Sequence, residues 1–129
     1  MKLLIVEDDT DTSSFIKFIM EQEEYEVRTA STAFEARAHL KAFKPDLIIL
    51  DRGLPDTDGL EFCRELKMLP HQAHIPVLFL SAAKTPADIE DGFNAGGGDY
   101  VGKPFGFVEL VARVQALLRK GSPASFKHA

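Results

Sequence analysis

Residues 3–6 (LLIV), 47–50 (LIIL) and 77–80 (VLFL) are short runs in which every position is apolar. A strand with one wet face alternates apolar and polar residues. These runs do not alternate, so each must be covered on both faces. Between them, apolar residues recur at helical spacing: Phe15, Phe18 and Ile19; Ala33, Ala36, Leu40 and Phe43; Leu60, Cys63 and Leu66; Ile89 and Phe93; Leu110, Val114 and Leu117. Weaker strand patterns at 25–29 and 99–102 complete a β-α unit repeated five times. The expected architecture is α/β, a doubly wound parallel sheet with helices on both faces. Thr10 and Asp11, with Asp9 as N-cap, mark the start of the first helix. Pro45 ends the second, the glycines at 96–98 end the fourth, and Gly121 closes the fifth.

Composition narrows what such a domain can do. The chain has 129 residues, with 15 Lys and Arg against 20 Asp and Glu. A net charge of −5 does not suit a nucleic-acid surface, which needs clustered cations. The single cysteine, Cys63, has no internal partner, which fits a reducing, cytoplasmic setting. The apolar run near the N-terminus is short and cut off by acids. No stretch approaches the ~20 apolar residues of a membrane span.

In a doubly wound sheet, ligands bind outside the carboxyl ends of the strands. The first apolar run ends in Glu7 and Asp8, the second in Asp51, the third in Ser81, and the last strand runs into Lys103. Three carboxylates brought together repel one another. A hard divalent cation such as Mg²⁺ relieves that repulsion and commonly bridges to phosphate. A hydroxyl and an ammonium on the same edge suit phosphoryl oxygens, while a carboxylate attacks phosphorus. Each group alone has a plainer reading, as a cap, a turn residue or a solvated charge. The chemistry lies in four strand ends contributing together.

The blocks "LLIVEDD", "PDLIILDRGLPDTDGLEFCRELK", "IPVLFLSA" and "GDYVGKPF" resemble the signature blocks of response-regulator receiver domains of two-component signalling. The resemblance spans about residues 2–119 in the family's order. It implies a five-stranded sheet in order 2-1-3-4-5. Asp51 would be the phosphoryl acceptor. Glu7, Asp8 and the Gly53 carbonyl would hold Mg²⁺ with Asp51. Ser81 and Lys103 would contact the phosphoryl group, and Ser81 and Tyr100 would form the switch. A cis Lys103-Pro104 peptide is also implied. Phosphoryl groups would come from a sensor histidine kinase, a phosphotransfer protein or a small phosphodonor. Such a domain is not an enzyme beyond its own phosphorylation and dephosphorylation. The receiver is expected over residues 1–119, with 120–129 a tail or a linker to an effector.

Some positions depart from the family pattern. Glu7 replaces the commoner Asp. Arg52 and Gly53 stand where larger apolar residues often follow the acceptor. The glycine at 53 reads as turn geometry, and the triple glycine as a loosened turn. Asp99, Glu109 and Arg113 match charged positions of a dimer face, whereas Asp91 and Gly98 do not. A monomer, or a weak phosphorylation-dependent dimer, is therefore expected. Two other functions are weighed. One is a pseudo-receiver that is never phosphorylated. The other is a haloacid-dehalogenase-type phosphatase built on Asp9 and Asp11, which leaves Asp51 and Ser81 unexplained.

Overall fold

The computed structural model describes residues 1–120. The order is β1 (Lys2–Val6), α1 (Thr10–Gln22), β2 (Glu26–Ala30), α2 (Ala33–Leu40), β3 (Leu47–Leu50), α3 (Gly59–Met68), β4 (Val77–Ser81), α4 (Pro86–Asn94), β5 (Asp99–Gly102) and α5 (Phe107–Lys120). The strands form one parallel sheet in order β2-β1-β3-β4-β5, as the sequence implied. The expected closing glycine, Gly121, lies outside the described residues.

Alternation along each strand divides the core in two. Leu4, Val6, Ile48, Leu50, Val77 and Phe79 point to one face and pack under α2 and α3. Leu3, Ile5, Leu47, Ile49, Leu78 and Leu80 point to the other, under α1 and α5. All of these side chains are fully or almost fully buried.

Three expected helix faces need correction. On α1 the inward stripe is Ser13, Ile16, Ile19 and Met20, and Phe15 and Phe18 are exposed. The stretch from Phe15 to Met20 is apolar nearly all round, so two stripes satisfied the same period. Phe15 instead packs on Phe105, ring centroids 6.2 Å apart. The second helix stops at Leu40, and Phe43 reaches the core from the loop. On α4 only Gly92 is fully buried. Ile89 packs partly against the core, and Phe93 is exposed.

The triple glycine is tight rather than loose. Gly96 has φ +106°, in the left-handed region that favours glycine. A Cβ on Gly97 would come within 2.8 Å of the Phe79 ring. Both constraints hold the turn against the sheet, and Gly98 donates to the Val77 carbonyl at 2.8 Å to lead into β5.

Candidate functional site

Register brings the site together. Val6 pairs with Leu50, so Glu7 and Asp51 leave adjacent strands side by side. Ser81 pairs with Gly102, so Lys103 emerges beside it, and its N–H donates to the Ser81 carbonyl at 2.8 Å. The Lys103-Pro104 peptide is cis. The Asp51 N–H donates to the Val6 carbonyl at 3.0 Å, which holds the backbone of Asp51 against β1.

Glu7 is 4% exposed and Asp51 8% exposed, so the opening acid of each strand end is a buried charge. Asp8 is exposed, and carboxylate oxygens of Glu7, Asp8 and Asp51 all lie within 4.8 Å of one another. The Lys103 ammonium donates to Glu7 and, at 3.3 Å, to Asp51. One cation thus serves two buried carboxylates. Burial, and then the neighbouring Asp51, push Glu7 up to about 7 despite Lys103. Burial works against the charged form of Lys103, but Glu7 and Asp51 more than offset it and raise its pKa. Glu7 keeps one buried oxygen, Oε2, with no hydrogen-bond partner. A buried acceptor without a donor is costly, and a cation would supply the missing partner. The donor set is all oxygen and fits a hard divalent ion.

Ser81 is buried, and its hydroxyl accepts from the Ala83 N–H at 3.1 Å. Tyr100 is also buried, and its hydroxyl donates to the Ala83 carbonyl. Its ring lies 5.7 Å from that of Phe79. The Tyr100 ring is therefore already turned inward in this structure. Gly53 donates its N–H to Asp51 at 3.2 Å. A Cβ there would meet the Asp51 carboxylate at an ordinary 3.8 Å, so backbone geometry does not demand glycine. Glycine is demanded at Gly59, where a Cβ would sit 2.3 Å from the Asp51 carbonyl oxygen. That closeness sets the start of α3 directly against the backbone of Asp51.

Sequence reasoning missed Asp56. Its carboxylate accepts from the Ala33 and Phe34 N–H groups, both at 3.0 Å, and so satisfies the first turn of α2 from another loop. Asp58 caps its own helix, α3, accepting from Leu60 at 2.8 Å. Asp9 occupies the N-cap position of α1, but its side chain accepts from the Thr12 hydroxyl rather than capping the backbone. Asp11 is exposed in the first turn of α1. Among the described residues, no helix is long and apolar enough to cross a membrane.

A parallel sheet carrying acids, a lysine and a hydroxyl in a cleft at its reversal point is a ligand-binding doubly wound domain. The family model for the response regulator receiver domain matches residues 3–115, and the chain belongs to that family. It is a receiver module of two-component systems, and neither the phosphatase nor the pseudo-receiver reading is favoured. The phosphate regulon transcriptional regulatory protein PhoB of Rhizobium meliloti is 38% identical over 95% of this chain and 54% of its own length. The KDP operon transcriptional regulatory protein KdpE of Escherichia coli is 41% identical over 93% of this chain and 52% of its own. The chain spans about half the length of these curated relatives. Among solved structures, the receiver domain of Francisella response regulator 1452 superposes with TM-score 0.87 at 29% identity, covering 94% of this chain and 98% of that one. A CheY-like receiver domain protein from Methanospirillum hungatei gives TM-score 0.86 at 28% identity, covering 93% of this chain and 94% of that one.

Proposed function

We propose that Asp51 accepts a phosphoryl group from a sensor histidine kinase, a phosphotransfer protein or a small phosphodonor, and that the aspartyl phosphate switches an output face. An Asp51 carboxylate oxygen attacks phosphorus. The bond from phosphorus to the donor's imidazole nitrogen or acyl oxygen breaks, and the donor leaves with its electron pair. Lys103, already bound to Asp51, follows the new phosphoryl oxygens. Ser81 exchanges its turn contact for a hydrogen bond to one of them. Glu7, Asp8, Asp51 and the Gly53 carbonyl would hold Mg²⁺. When bound, this ion would supply positive charge to offset the charge of the transferring phosphoryl group. The domain turns over no separate substrate: water later cleaves its own acyl phosphate.

The observation that carries this reading is the strained charge balance at Glu7 and Asp51: two buried carboxylates, one lysine, and an acceptor oxygen with no donor. By likeness to the transcriptional regulators, the receiver signals to an effector that follows residue 120 in a cytoplasmic protein. The α4-β5-α5 face serves as its output. In that face Arg113 is paired within the chain, to Asp99 at 3.0 Å and Glu109 at 3.3 Å. Such pairing supports a monomer that dimerises weakly, if phosphorylated, rather than a strong interlocking dimer.

Incubation with labelled acetyl phosphate and Mg²⁺ tests the reading. The wild type should gain an acid-stable, alkali-labile label, dependent on Mg²⁺. Asp51→Asn should gain none. A label that persists in Asp51→Asn overturns the assignment.

A further inference from the structure

Arg52 follows the acceptor directly and lines the same cleft, of about 370 Å³, as Asp51, Ser81 and Lys103. Its side chain is only 15% exposed. It extends toward the first turn of α4. There Nη1 donates to the Asp88 carbonyl at 3.3 Å and lies 3.6 Å from the Asp88 carboxylate, while Nε lies 3.8 Å from Asp58. These are long contacts for a guanidinium. Charge-assisted N–H···O bonds usually close to about 2.7–2.9 Å. The same protein shows what a satisfied arginine looks like: Arg37 grips Glu65 with a fork of 2.7 and 2.8 Å.

The reason lies in Arg52's partners. The Asp88 carboxylate already accepts from the Thr85 N–H at 3.1 Å in the capping box of α4. The Asp58 carboxylate already accepts from Leu60 at the start of α3. Both acids also serve helix ends, Asp88 through its other oxygen, and Arg52 meets each only at long range, with the Tyr100 hydroxyl as its remaining neighbour. A planar guanidinium whose donors are held only by long contacts is the side chain best matched to phosphoryl oxygens. Gly53 and Ala83 put no long side chain in its way.

We propose that Arg52 is a second phosphoryl-positioning cation beside Lys103, and that it leaves the first turn of α4 to take that role. The proposal rests on Asp51 being the acceptor. In the resting protein Arg52 ties the acceptor loop to α4. A phosphoryl group on Asp51 offers strong, uncommitted acceptors in the same cleft. Arg52 turns to them, and the Asp88 end of α4 is released. Charge arriving at the sheet edge is thereby converted into a loosened contact on the output face.

Beryllofluoride binding in the presence of Mg²⁺, followed by two-dimensional amide NMR, tests this. Arg52→Gln should weaken beryllofluoride affinity about tenfold, and Arg52→Lys, which keeps charge without the fork, should recover part of that. Asp88→Asn keeps a helix cap but removes the competing charge, so it should tighten binding about threefold, a gain that misfolding cannot produce. In the wild type, beryllofluoride should move the Asp88 and Ile89 amides. In Arg52→Gln those amides should start near their bound positions and move little. If the wild type binds no beryllofluoride, the acceptor reading falls and takes this one with it. If the wild type binds and Arg52→Gln binds equally well, only the role of Arg52 is overturned.

Discussion

Two groups of acids lie at the carboxyl edge of this sheet, and they are built in opposite ways. Asp56 and Asp58 are exposed, and their oxygens meet backbone N–H groups at the starts of α2 and α3. Glu7 and Asp51 are buried against each other, share one lysine, and leave a carboxylate oxygen without a donor. Both groups are carboxylates. The difference is burial and sharing: Asp51 has the Gly53 N–H and a lysine it shares with Glu7, and Glu7 Oε2 has no donor. The exposed acids stabilise helix ends. The buried pair has a place that an added cation would fill.

The contrast breaks most sharply at Glu7. Its carboxyl group is raised from 4.5 to about 7, first by burial and then by Asp51. Below the unfolded value the group is protonated in both states and costs nothing. As pH rises from about 4.5 to about 7 the unfolded chain ionises while the folded protein keeps the proton, so stability is lost across that window, and above about 7 the folded protein carries the buried charge. Glu7→Gln stays neutral. Without metal it should match the wild type below about pH 4 and exceed it at pH 8 by at most about 3 kcal/mol, read from urea denaturation. A variant less stable than the wild type at pH 8 would move Glu7 into the group of structural caps.

Asp56 should respond in the other direction. The Ala33 and Phe34 N–H groups hold its pKa below the usual carboxylate value. Its contribution is present above the unfolded pKa and fades as pH falls through the lower folded value. Asp56→Ala should cost about 1 kcal/mol at pH 7 and leave Mg²⁺ affinity unchanged. A large loss of metal binding would show that the two groups are not separate.

The smallest effect is expected at Arg113. Its pairs with Asp99 and Glu109 are exposed, so Arg113→Ala should change stability by at most about 1 kcal/mol. Sedimentation with beryllofluoride should show a monomer or a weak dimer, and a tight dimer would mean that the intrachain pairing yields to a partner.

The sheet was legible because its strands are apolar without alternation, and the site because four of them end in chemically matched groups. Register then did the rest: pairing Val6 with Leu50 is enough to set Glu7 beside Asp51. The inward face of α1 was not legible, since Phe15, Ile16, Phe18, Ile19 and Met20 satisfy a helical period in two phases. Only packing against the sheet selects Ile16 and Met20. Asp56 was hidden for a different reason. Its partners lie 22 and 23 residues away, on a helix that is also capped by its own Thr32. The demand for glycine at Gly59 was hidden too, because a turn glycine and one pressed against the Asp51 carbonyl look identical in a sequence.

The central claim is that Glu7, Asp8 and Asp51 are strained until a cation joins them. Thermal melting at pH 8 with and without Mg²⁺ tests it most directly. Saturating Mg²⁺ should raise the wild-type Tm, corresponding to about 2.7 kcal/mol when the ion stands at a hundred times its Kd. Glu7→Gln should begin at a higher Tm and gain much less. A wild-type Tm that Mg²⁺ leaves unchanged would contradict the account.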